Sequence, residues 1–184
     1  MGFMLQEPGR AAMPQPARGG PPRLLCDEML QRLGRWLRAA GYDTLIAQGG
    51  QRDRDLLARA LREGRLLVTR DRKLGEHKGA PGAVVVLRAN GLEECVAEMT
   101  ERLGIDWLLA PFTRCVLCNS ALAPLPPALE ASIPAALSTP RADVSHCPLC
   151  WKVYWSGGHV DRMRRRLEAW RRVAGPWPEA SRPA

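Results

Sequence analysis

Four cysteines are spaced as ligands for a single metal ion. Cys115-Val-Leu-Cys118 and Cys147-Pro-Leu-Cys150 make the pattern Cys-x2-Cys-x28-Cys-x2-Cys. Two residues between cysteines let a tight turn aim both thiolates at one tetrahedral centre, and two such knuckles supply four ligands. The long spacer is tolerated because loop-closure entropy grows slowly with length. Four sulfurs leave no open position, so the expected occupant is structural Zn²⁺. Two disulfides or four free thiols are the alternatives; with no signal-like apolar segment upstream, a reduced metal site is the stronger reading. Asn119, directly after the first knuckle, suits the positive φ common at that place; Trp151, after the second, does not. Cys26 and Cys95 stand in apolar contexts and read as buried reduced thiols.

The second set is acidic. Asp27 closes the run Arg23-Leu-Leu-Cys-Asp27, Asp71 follows Leu66-Leu-Val-Thr-Arg70, and Asp53 and Asp55 open a helical pattern between them. Carboxylates suit Mg²⁺ or Mn²⁺, which prefer hard oxygen ligands and keep waters for chemistry. Such ions activate water and stabilise the leaving oxygen of a phosphodiester. Asp53 lies four residues before Leu57, on the core-facing side, whereas Asp55 lines up with the outer Ala58 and Arg59. Asp53 is therefore preferred as a site residue, with Asp55 kept as a possible additional acid. Each acid also has an ordinary use, Asp27 and Asp53 as helix caps and Asp71 in a strand-to-helix turn. Spacing alone leaves both uses open.

The elements that must position these residues alternate. Arg23–Asp27, Tyr42–Ala47, Arg65–Thr69 and Ala83–Leu87 read as strands, and Glu28–Ala40, Asp53–Glu63 and Leu92–Leu103 as amphipathic helices. Met29, Leu30, Leu33, Trp36 and Leu37 form the apolar stripe of the first helix, and Leu56, Leu57, Ala60 and Leu61 that of the second. Gly41, Gly64 and Gly104 close the three helices. Arg72–Gly79 is a short helix or loop. Strand–helix alternation predicts a three-layer α/β domain with a mostly parallel sheet, and in such sheets ligands bind at the carboxyl ends of strands, where Asp27 and Asp71 fall. Near residue 111 the composition shifts to the cysteine pairs and a Pro/Ala/Leu-rich spacer; Val153-Tyr154-Trp155 reads as a strand and Asp161–Arg172 as a basic helix.

The 184 residues carry 46% apolar side chains and a net charge of +8. That is enough for a core, with no apolar run near the roughly 20 residues of a membrane span. The basic balance favours a polyanionic partner, above all nucleic acid. Residues 1–22 are expected to be a disordered leader and 173–184 a disordered tail. The reduced cysteines suggest a cytoplasmic setting.

These residues also resemble a known family. Asp27-Glu-Met-Leu-Gln-Arg-Leu-Gly-Arg-Trp-Leu-Arg38, Gly41-Tyr-Asp43 and Leu67-Val-Thr-Arg-Asp-Arg72 are similar to the Mut-seven C-terminal RNase domain family. The ribbon half matches through Cys147-Pro-x-Cys150, Val153-Tyr-Trp-x-Gly157-x-His159 and Met163. The resemblance implies a PIN-like nuclease domain over 23–110 and a zinc ribbon with a basic helix over 111–172. It implies metal-dependent RNA cleavage, most naturally endonucleolytic, by Asp27, Asp53 and Asp71 holding Mg²⁺ or Mn²⁺. Lys73 stands where many PIN-like proteins carry a further acid.

Arg32, Arg35, Arg38, Arg70 and Arg72 flank the acids and are candidates for holding RNA phosphates, with His159 a further RNA-facing candidate. An ordinary solvated helix face is the competing account of these arginines. Trp36 reads as core. Two rivals to a nuclease remain: a non-catalytic RNA- or ribosome-binding module, and a zinc-ribbon adaptor for a protein partner. A protein inhibitor is compatible with the nuclease reading, no membrane partner is expected, and oligomeric state is left open.

Overall fold

Leu24-Leu25-Cys26 has no polar side chain to turn towards water, so strand β1 (Leu24–Cys26) is buried on both faces. In the computed structural model, which describes residues 20–132 and 144–173, β1 lies inside a four-stranded parallel sheet. Its neighbours are β2 (Thr44–Ile46) and β3 (Leu66–Thr69), with β4 (Val84–Val86) beyond β3. Leu25 pairs with both Leu45 and Leu67, aligning the ends of β1 and β3. The order β2-β1-β3-β4 reverses between β1 and β3, so their carboxyl ends form the topological switch point. The expected leader (1–22) and tail (173–184) lie almost wholly outside the described residues, as does part of the spacer between the cysteine pairs.

Helices cover both faces. On one side β1, β3 and β4 contribute Leu24, Cys26, Val68 and Val85 to a core with α1 (Gln31–Ala39) and α4 (Leu92–Leu103). On the other, Leu25 and Leu67 pack with Leu56, Leu57 and Ala60 of α2 (Asp53–Glu63) and Leu74 of α3 (Arg72–Gly75). The three-layer α/β expectation therefore holds. No described helix is long and apolar enough to cross a membrane.

The helix expected from Glu28 begins instead as a 3₁₀ turn, Glu28–Leu30. Three residues per turn put Met29 out of phase with the 3.6-residue stripe, and Met29 is 54% exposed. Leu61, expected in the stripe of α2, is likewise exposed at its rim.

The cysteine-bearing part forms a small antiparallel sheet of β5 (Ala123–Pro124), β6 (Ser145–His146) and β7 (Val153–Tyr154). It is fastened to the α1–β2 turn. Ala110 N–H donates to Ala40 O at 3.0 Å and Phe112 N–H to Ala39 O at 2.8 Å. Gly41, at φ +105°, sits so close that a Cβ there would lie 2.4 Å from Ala110 O. Only glycine meets both conditions.

The basic helix was expected with the ribbon. Instead α5 (Gly158–Val173) packs Leu167 and Trp170 into the core of the α/β unit. Met163, Arg166, Leu167 and Trp170 fall on one side at helical spacing, a narrow stripe hidden among arginines. Trp170 sits edge-on to Trp36 (4.8 Å between ring centroids) and Trp107 (5.0 Å). Its indole N–H donates to Glu93. Trp170→Ala should therefore cost about 3–5 kcal/mol in urea unfolding. A change under 1 kcal/mol would show α5 to be a loose appendage.

Candidate functional site

Asp27 follows β1 at the switch point and is 8% exposed. It precedes the 3₁₀ turn without capping it, since its side chain accepts no hydrogen bond from that turn. The carboxylate accepts instead from Thr69 Oγ1 at 2.7 Å, and Thr69 Oγ1 accepts the Asp71 N–H at 2.9 Å. One threonine at the end of β3 thus links the two acids. Thr69 escaped the sequence reasoning; its signal was the polar residue closing the apolar run Leu66-Leu-Val. Thr69→Val removes Asp27's donor and leaves the Asp71 N–H short of an acceptor. Stability should fall by about 1–3 kcal/mol, measured by thermal melting, and an unchanged midpoint would mean the bridge is idle.

Asp71, in the strand-to-helix turn foreseen as its ordinary place, accepts the Lys73 N–H through Oδ1 at 2.8 Å and so caps α3. Asp53 is not a cap: it is the first residue of α2, Arg52 occupies the cap position, and Asp53 is half-buried. Asp55 is exposed and engaged by Arg52 at 2.8 Å and Arg54 at 3.7 Å. Glu28, also missed, reaches the loop before α2, where a Cβ at Gly49 would lie 3.1 Å from its Oε2.

The four cysteines are the one group of three or more His, Cys, Asp or Glu among the described residues whose ligand atoms all lie within 4.8 Å of one another. Asp27, Asp53 and Asp71 form no second group of that closeness. Sγ–Sγ separations are 3.5 Å for Cys115–Cys150 and 3.3 Å for Cys118–Cys147. A tetrahedron with 2.3 Å Zn–S bonds needs about 3.8 Å, so the thiol set fits structural zinc. All six cysteines are free thiols. Burial alone would raise Cys115, yet hydrogen bonds from Tyr154 (3.1 Å) and nearby amides bring it to about 6. Cys147 is lowered too: the Cys150 amide and neighbouring thiols outweigh burial. Cys150 moves up to about 12: the Lys152 amide pulls it down, but burial and three sulfur neighbours prevail. Four sulfurs this close cannot all ionise without a cation among them. Both Asn119 (φ 75°) and Trp151 (φ 61°) take the left-handed conformation. The knuckle imposes it on the tryptophan despite the side chain.

Arg38, a candidate RNA contact, is only 5% exposed. Its guanidinium donates to Thr44 O (2.7 Å), Val116 O (3.1 Å) and Leu117 O (2.6 Å), bracing α1 against the first knuckle. That burial corrects the expectation of an RNA-facing side chain. Asn119 adds a second brace, accepting the Thr44 N–H at 3.0 Å and donating to Asp43 at 2.7 Å. Arg32, Arg35, Arg72 and His159 are exposed. Arg70 is half-buried beside Asn90, and its Nε has no hydrogen-bond partner. Burial pushes the Cys26 thiol up to about 12, with Arg38 opposing, and raises Cys95 as well, as expected of inert thiols.

No curated protein and no solved structure matches the chain. Residues 22–167, most of the chain, match the Mut7-C RNAse domain and span both the acid-bearing sheet edge and the cysteine centre. With its parallel sheet, acidic switch point and appended four-thiol site, the chain belongs to the Mut7-C RNAse domain family.

Proposed function

We propose that the protein is a metal-dependent ribonuclease of PIN-like architecture that hydrolyses RNA phosphodiester bonds endonucleolytically. The observation that carries this reading is Asp27: a carboxylate at the switch point, unused as a cap and tied through Thr69 to Asp71. Hard oxygen donors of this kind fit Mg²⁺ or Mn²⁺, and an ion that keeps several waters needs no closed protein cage. Asp27, Asp53 and Asp71 would hold it; when bound, such an ion supplies a polarised water and charge stabilisation for the leaving oxygen. Thr69 keeps the Asp27 carboxylate aimed at the edge, and Arg70, with an unpartnered Nε, is placed to steady a phosphate nearby. Reduced thiols suit a cytoplasmic setting.

A non-catalytic RNA- or ribosome-binding module is the second reading. It is favoured by the looser spacing of the three carboxylates compared with the cysteines. Purified protein incubated with mixed RNA, with Mn²⁺ added or omitted, separates the two. Cleavage only with Mn²⁺ supports the nuclease; RNA retention with no cleavage in either condition supports the binding module.

A further inference from the structure

The docking of α5 sets an arginine-rich helix against α1, more than a hundred residues away in the sequence, with Arg166 of α5 over Trp36 of α1. Arg166 of α5 lies over Trp36 of α1 (5.4 Å to the ring centroid) and over Trp170 (5.2 Å), and pairs with Glu93 at the start of α4. It is a rivet between helices. Arg162 sits one turn before Arg166 on the same flank of α5, and Arg165 beside it. Across the joint, Arg32 lies one turn before Trp36 on α1, and Arg35 beside that. All four side chains are exposed, and among the described residues no hydrogen bond or ion pair engages any of them.

The remaining arginines of α5 are used differently. Arg164 stacks on Phe112 (5.1 Å), Arg171 faces Asp106 (3.9 Å) and Arg172 faces Glu168 (3.9 Å). Glu93 is the acid that pairs with Arg166 and Trp170 at the joint. Burial acts to raise its carboxyl, but hydrogen bonds from Arg166 and Trp170, with the charges of Arg166 and Arg32, hold it below the usual range. It is fully occupied by the rivet. What is left between α1 and α5 is an excess of free positive charge.

The joint also has a direction. Both α1 and α4 start at the carboxyl edge of the sheet, so Arg32 and Glu93 stand on the edge that carries Asp27 and Asp71. We propose that the seam between α1 and α5 is a track for single-stranded RNA, with Arg32 and Arg35 on one bank and Arg162 and Arg165 on the other, leading the strand to the acidic edge. The inference rests on the ribonuclease reading for what happens at that edge. Single strands are the substrate class because Asp27 is 8% exposed: a phosphate must bend into the crevice, which a stiff A-form duplex does not allow.

The test uses the full chain carrying Asp27→Asn, so that RNA is not consumed, and a fluorescent single-stranded 20-mer titrated across salt concentrations. Arg162→Ala with Arg165→Ala, and separately Arg32→Ala with Arg35→Ala, should each weaken binding by an order of magnitude or so. Each pair should flatten the log Kd against log salt slope by about 1.4, at about 0.7 per phosphate contact on single strands. Arg59→Ala, whose partner is Glu63 on α2, should change neither quantity. Affinities and slopes unchanged in both pairs would overturn the track, and equal binding of a duplex would overturn the single-strand assignment. If the wild-type chain cleaves RNA while both pairs bind normally, the track falls and the nuclease stands. If it never cleaves but both pairs lose binding, the nuclease falls and the track stands.

Discussion

Asp27→Asn, alone or with Asp71→Asn, should remain folded and lose Mn²⁺-dependent RNA cleavage by roughly 10³-fold or more, as removal of a central catalytic group commonly does. The substitution is isosteric. Thr69 Oγ1, which donates to Asp27 at 2.7 Å, finds an amide oxygen in the same place, so little stability is at stake. What disappears is the negative charge that makes the oxygen a ligand for a hard cation. Folding is checked by circular dichroism and thermal melting, activity by cleavage of mixed RNA. Equal cleavage by the double variant and the wild type removes these two carboxylates from the chemistry.

The second large effect concerns the thiol centre. Stripping zinc, or Cys115→Ser, should destabilise the α/β unit as well as the ribbon. Structural zinc contributes its binding free energy to folding, about 10–16 kcal/mol in small zinc domains. Here the first knuckle also supplies two of Arg38's carbonyl acceptors and the Asn119 side chain that receives the Thr44 N–H. Losing them leaves a buried guanidinium short of partners and unties edge strand β2. A loss of roughly 5 kcal/mol would lower Tm by about 10–20 °C in a chain of this size. Hydrogen exchange gives the local readout: the Thr44 amide should lose protection along with the knuckle amides. Continued protection at Thr44 after zinc removal, with the α/β melt unmoved, would show the ribbon to be an independent passenger.

How far such couplings could be read in advance varied by element. Helices α2 and α4 came out with the expected bounds, Asp53–Glu63 and Leu92–Leu103, because apolar spacing and terminal glycines are local signals. The strands are shorter than their apolar runs by a residue or two at their ends, since a ladder ends where its partner ends. Arg38 looked like any exposed helix arginine; its place at the back of α1 becomes a buried one only when residues 116 and 117 fold against it. Trp151 looked unfit for positive φ, and the metal-type turn around it overrode that preference.

By itself the amino-acid sequence determined the parallel α/β layering, the four thiols and the acids at strand ends, because spacing along a chain is what periodicity and chelation depend on. Tertiary structure alone decided that Thr69 joins Asp27 to Asp71, that Arg38 belongs to the ribbon joint, and that α5 closes over Trp36. The contacts of Asp27 with Thr69, Arg38 with Val116 and Trp36 with Trp170 link residues 42, 78 and 134 positions apart, and their free energy depends on burial and geometry that no local pattern encodes.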